Sequence, residues 1–141
     1  MLFRSINFVS VFVSAVVAFV LGFLFHGPVS GKLWMKLANI HPTGKEKMSD
    51  MYGKMFWNFV VNLVTAGVMA LIFALVFTSP IIGSITWYKG AIMGIWLWLG
   101  FLVTSSSIDV IWMGRSWKLW LFEAVCSLIV MATMGAIIAG W

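Results

Sequence analysis

A four-span α-helical membrane bundle is the fold this sequence predicts, on three observations. Of its 141 residues, 62% are hydrophobic and 9% charged, with a mean hydropathy of +1.05. Soluble domains are about 45–50% apolar and about 25% charged, so this chain could not cover a water-facing surface with polar groups. Four apolar stretches each approach the about 20 residues a helix needs to cross a bilayer. Nine Trp and twelve Phe supply the aromatic rings that collect at membrane interfaces. The expected architecture is all-α, one membrane domain over residues 1–141, with a short interfacial helix in the first loop.

The spans fall at residues 6–25, 55–77, 87–104 and 117–138. None carries an internal Pro, so each can satisfy its own backbone hydrogen bonds, as hydrocarbon requires. A β-barrel would need alternating segments of about ten residues, a pattern the chain lacks. The first span, behind Arg4, resembles a signal peptide, with Val29-Ser30-Gly31 as small residues. Its apolar run exceeds the about 7–15 residues of a signal core, so it reads as a retained helix.

The first loop opens with 26-HGPVSGKLWMK-36. Gly27-Pro28 ends a helix, because Pro lacks an N–H and disfavours helix at the residue before it. Leu33, Trp34, Leu37 and Ile40 then share one helical face, with Lys32 and Lys36 opposite, as in a helix lying among headgroups. Lys32, Trp34 and Lys36 are interface anchors, as are Arg115, Trp117 and Lys118 in the third loop. Thr43 and Glu46 have capping-box spacing. Met48, Met51, Tyr52 and Met55 continue as a helical stripe, so the second helix is expected to start near Gly44. Ser79-Pro80 precedes the third span.

Orientation follows from Lys and Arg. Loops one and three carry Lys32, Lys36, Lys45, Lys47, Lys54, Arg115 and Lys118; the other side carries Arg4 and Lys89, seven against two. The positive-inside rule puts those loops in the cytoplasm and both termini outside. The net charge of +5 is thereby absorbed as topology, and nucleic-acid binding is not expected.

Small residues recur at steps of four: Ser10, Ser14, Ala18 and Gly22; Asn58, Asn62, Ala66, Ala70 and Ala74; Gly90 and Gly94; Ala132, Ala136 and Gly140. Lipid tails are as apolar as Leu, so helices associate where small residues let backbones approach, and these ridges are expected to face other helices or a second copy. Gly31-Lys32-Leu33-Trp34 and Gly114-Arg115-Ser116-Trp117 share a Gly-basic-x-Trp form, better read as two independent anchors than as a duplication.

Glu123 is the most informative ionisable group, about two turns into the fourth span. An intramembrane carboxylate is costly and marks function, or it lies near the headgroups and pairs with Lys118 or a neighbouring helix. Asp109 follows the third span and either caps a short turn or pairs with Arg115. Asn58 and Asn62, one turn apart, read as interhelical glue or as the lining of a polar cavity. His26 marks the boundary of the first span.

Neither His has metal-ligand spacing, and one Cys, Cys126, excludes an intrachain disulfide. The chain has no Walker loop, GxSxG, HExxH or dinucleotide fingerprint, so no catalytic, cofactor or metal residues are assigned. The expected partners are the lipid bilayer and a second copy or another membrane protein. Two functions fit: a non-enzymatic accessory subunit or homo-oligomer, and a small transporter or channel with Asn58, Asn62 and Glu123 on its path.

The run Ala18-Phe19, Leu21-Gly22, Phe25-His26, Gly27-Pro28, Gly31-Lys32 and Trp34-Met35-Lys36 resembles the N-terminal signature of the bacterial membrane family filed as domain of unknown function 1761. That family often has Trp-Tyr where this chain has Phe25-His26, and Leu-Phe where it has Val29-Ser30. The resemblance implies a small four-helix integral membrane protein and no particular activity.

Overall fold

The computed structural model describes residues 6–42, 48–77 and 83–141. Arg4, Lys45, Lys47, the Thr43–Glu46 capping box, the start near Gly44 and Ser79-Pro80 lie outside the described residues. Within them the chain is helical and contains no strand. Four helices are long and apolar enough to cross a membrane: Phe8–His26, Met51–Val76, Trp87–Met113 and Trp117–Gly140.

Helix α1, Phe8–His26, begins at Asn7, whose side chain accepts from the Val9 and Ser10 amides at 3.0 and 3.4 Å. This satisfies two of the donors that every helix start leaves open. It stops at Gly27, before Pro28, as the sequence predicts. The Gly31 amide returns to the Gly27 carbonyl at 2.9 Å, and α2, Gly31–Leu37, follows at once. This short helix carries Lys32, Trp34 and Lys36 and packs against the ends of both α1 and α6, so it is docked on the bundle as well as amphipathic.

Helix α3, Met48–Val76, is 29 residues, about 43 Å at 1.5 Å per residue, longer than a hydrocarbon core. Its first turns carry the outward-facing Met48, Met51 and Tyr52 of the predicted stripe. It packs on α1, with Phe59 edge-on to both Phe12 and Phe19 at 6.1 and 5.9 Å.

The third span is longer than the sequence suggests. It runs through α4, Trp87–Leu97, a π-helical turn at Trp98–Val103, and α5, Thr104–Met113. The apolar run expected to end near residue 104 is followed by Thr104-Ser105-Ser106-Ser107, and the helix continues through it. These hydroxyls bond back into the helix: Thr104 Oγ1 donates to Gly100 O at 2.6 Å and Ser107 Oγ to Thr104 O at 2.8 Å, while Ser105 Oγ donates to Phe101 O. A π turn shifts the backbone register by one residue and disturbs carbonyl pairing; the hydroxyls answer those carbonyls and let the helix continue. It ends at Gly114, which takes a left-handed φ of 68° and returns its amide to Asp109 O.

Helix α6, Trp117–Gly140, receives α4 along its length. The contact is close enough to admit no side chain. A Cβ on Gly90 would fall on the Gly135 carbonyl and the Ala139 Cβ, and one on Gly94 would fall on the Met131 carbonyl. Gly135 meets Gly90 in return. The Gly90/Gly94 ridge therefore packs against another helix as predicted, chiefly along Met131, Gly135 and Ala139, while Ala132 borders Gly94 and Gly140 borders Trp87. On α1, Ser10, Ser14 and Ala18 are buried, again as predicted. Ser10 Oγ donates to Asn7 O and Ser14 Oγ to Val11 O, so neither buried hydroxyl lacks a partner.

The helices thus form a chain of contacts, α3 on α1, α1 on α6 and α6 on α4, with antiparallel neighbours. The core is Val11, Ala15 and Ala18 of α1, Ala66, Met69, Ala70 and Phe73 of α3, and Met131, Met134 and Ala139 of α6.

Candidate functional site

Ser105, Ser106, Asp109, Glu123 and Ser127 gather toward one end, where α1 and α5 stop and α3 and α6 start. Trp98, Leu102, Val103, Ser105, Ser106 and Asp109 form one wall of a crevice there; Trp120, Glu123, Ala124 and Ser127 form the other. Its volume is about 420 Å³, within the about 300–1,000 Å³ of ligand pockets. The π turn positions this wall. Beyond it toward Trp87, α4 and α6 are sealed by the glycine contact, and on this side α5 makes far less contact with α6. Such turns recur at functional sites in other helices.

Arg115 holds the mouth. Its Nη1 is 3.5 Å from Asp109 Oδ2 and its Nη2 is 3.5 Å from Glu123 Oε1. One guanidinium therefore bridges the end of α5 to the second turn of α6, across the three-residue link Gly114–Ser116. Both pairs are long, and their side chains are 35–43% exposed. Arg115→Gln is accordingly expected to cost no more than about 1 kcal/mol, less at high salt, measured by thermal unfolding in detergent.

Deeper in, two indoles cross the crevice. Trp98 Nε1 donates to Ala124 O and to Ser127 Oγ, both at 3.0 Å, and Trp120 Nε1 donates to Ser106 Oγ at 3.0 Å. These bonds tie the π turn and α5 to α6 where backbone packing is loose. Trp98→Phe keeps most of the ring and removes the donor. It is expected to lower stability by about 1–2 kcal/mol, read from the unfolding midpoint, because Ser127 and the Ala124 carbonyl lose a partner.

The structure brings together two of the candidate residues named from sequence, Glu123 and Asp109, and joins them through the anchor Arg115. Lys118, the partner the sequence offered for Glu123, makes no ion pair with it among the described residues. His26 stands at the same end: its Nδ1 lies 2.9 Å from Gly22 O and its ring is edge-on to Trp34 at 5.2 Å and to Phe122 at 6.2 Å. That arrangement seats α2 against α1 and α6, and His26 is no part of the crevice wall.

Asn58 and Asn62 are elsewhere. They lie at the edge of the packed face of α3, Asn58 exposed and Asn62 half-buried, where Asn62 Nδ2 donates to Asn58 O at 2.9 Å and to its Oδ1 at 3.3 Å. Neither borders the crevice. Sequence reasoning missed Trp98, Ser105, Ser106, Trp120 and Ser127. The available signal was the hydroxyl run beside Asp109; nothing in the sequence marks a π turn. No group of three or more His, Cys, Asp or Glu that could hold a metal occurs among the described residues.

Four apolar helices, glycine-sealed at one end and opened at the other around a crevice edged by Asp109 and Glu123, define a small multi-pass integral membrane protein. A family model described as Protein of unknown function (DUF1761) matches residues 9–139, and the chain belongs to that family. No curated protein and no solved structure matches the chain.

Proposed function

We propose that this chain is a non-enzymatic membrane protein that works as a homo-oligomer, with its α3 faces meeting about a two-fold axis. The observation that supports this is the Asn58–Asn62 pair at the edge of the packed face of α3, with Asn58 exposed and Asn62 half-buried. Asn62 sits about 12 Å along the helix from Lys54, at a depth where water does not reach a lipid-facing surface. The amides make one mutual contact and keep further donors and acceptors to satisfy. An unsatisfied amide in hydrocarbon costs several kcal/mol. An amide both donates and accepts, so the same pair on a second copy is its own complement, as a two-fold interface requires. Outward-facing Val61, three residues from Asn58, supplies apolar surface beside it.

The seven-against-two balance of Lys and Arg supports the accompanying orientation, with the Arg115 end in the cytoplasm of a bacterial inner membrane. The test is energy transfer between donor-labelled and acceptor-labelled copies in liposomes. Transfer well above random proximity, falling as lipid dilutes the protein, is the expected outcome. Transfer at the random level at every protein-to-lipid ratio would remove the self-association and leave an accessory subunit of another chain. The crevice favours a second reading, a small transporter. In that reading a path would have to cross the glycine-sealed half of α4 and α6, and Asn58 and Asn62 would have no place on it.

A further inference from the structure

We propose that the crevice between α5 and α6 binds a primary ammonium group, carried by a phospholipid headgroup or by a free alkylamine. The inference rests on how donors and acceptors are distributed in a cavity that already has ligand size. The protons available inside it are used. Ser106 Oγ donates to Val103 O at 3.3 Å and Ser127 Oγ to Ala124 O at 3.0 Å, and Ser105 Oγ donates to Phe101 O. Both wall indoles are committed, Trp98 to Ala124 and Ser127, Trp120 to Ser106. What the walls still offer is acceptor capacity on hydroxyl and carboxylate oxygens.

Charge points the same way. Asp109 and Glu123 bring two negative charges and Arg115 one positive, so this ion-paired trio keeps one net negative charge. Arg115 engages one oxygen of each carboxylate, Oδ2 and Oε1, leaving Oδ1 and Oε2 outside its grip. Wall hydroxyls and indoles that have used their protons, with two carboxylates against one guanidinium at the mouth, disfavour anions and neutral acceptors. The crevice suits a group with three N–H donors, no acceptor and a positive charge, which is an alkylammonium. The position fits as well. Glu123 lies about 9 Å along α6 from Trp117, within reach of a headgroup amine or of an amine whose alkyl chain follows the apolar surface.

This site stands apart from α3, so its test does not depend on self-association. Wild-type protein in phosphatidylglycerol nanodiscs is titrated with hexylamine and, separately, with hexanol, following Trp fluorescence through Trp98 and Trp120. In parallel, protein drawn from mixed phosphatidylethanolamine and phosphatidylglycerol liposomes is analysed by native mass spectrometry for retained lipid. At least a tenfold preference for hexylamine over hexanol identifies a free amine as a ligand. Preferential retention of phosphatidylethanolamine identifies the headgroup. In whichever arm binds, Glu123→Gln is expected to weaken binding at least tenfold and Glu123→Asp to restore part of it. Wild-type selectivity alone decides the matter if Glu123→Gln does not fold. Absence of selectivity in both arms overturns the proposal, as does a folded Glu123→Gln protein that binds like wild type.

Discussion

Gly94→Leu is expected to abolish the native bundle, whereas Gly67→Ala leaves it intact or slightly more stable. The difference lies in what each new side chain meets. A Cβ at Gly94 lands on the Met131 carbonyl, backbone that cannot turn aside, and Leu adds three more carbons to that clash. Relief requires pushing α4 from α6, which also separates Gly90 from Gly135 and Ala139. Overpacking a core usually costs about 1–3 kcal/mol, and here about 3 kcal/mol or more is expected because the obstacle is main chain. In lipid no hydrophobic gain offsets the lost contact, since close packing is what holds the helices together. At Gly67 nothing lies within 4 Å of the added Cβ, so Ala brings only its better helix propensity, worth up to about 1 kcal/mol. Unfolding in mixed micelles followed by circular dichroism, with size-exclusion recovery, would read both. A well-folded Gly94→Leu protein would mean that α4 and α6 do not meet through this glycine face.

The double substitution Asn58→Leu with Asn62→Leu is expected to weaken self-association by about 1–3 kcal/mol, roughly 5- to 150-fold in dissociation constant. The estimate takes two symmetry-related interhelical amide bonds at about 0.6–1.7 kcal/mol each. The monomer should fold at least as well as wild type, because both side chains lie outside the core and Leu is a good helix former. Sedimentation equilibrium in density-matched detergent would give both constants. A loss of fold together with a loss of association would instead point to a role inside the protomer.

Much of the architecture is legible in the sequence because the bilayer constrains it. Four apolar runs, Gly27-Pro28 after the first and the Gly90/Gly94 ridge fix helices and a contact with little ambiguity. The partner row on α6 is harder, because two adjacent rows at steps of four both contain small residues. The row that meets α4 contains Gly135, the interior glycine of that helix, where one backbone can approach another most closely; Ala136, one residue on, keeps a methyl group in the way. The π turn at Trp98–Val103 is not legible, since the same residues are equally compatible with continuous α-helix. With it goes the crevice, whose indoles carry no signal of their own in the sequence and whose hydroxyls stand out only as a run beside Asp109. Glu123 and Asp109 stand out because charges inside spans are rare, yet their common partner Arg115 emerges only when Gly114 turns the chain back. Asn58 and Asn62 illustrate the opposite case. Their spacing marks them as a pair, but whether the pair faces a neighbour in the same chain or outward depends on how α3 is rotated against α1.

The most direct test of the account asks whether the Asn face of α3 meets its own copy in a membrane. In a Cys126→Ser background, Asn62→Cys should form a disulfide-linked dimer under mild oxidation in native membranes. Ala70→Cys, buried against α1 in the core of the same helix, should remain monomeric. Cross-linking at Ala70 but not at Asn62, or at neither position, would contradict it.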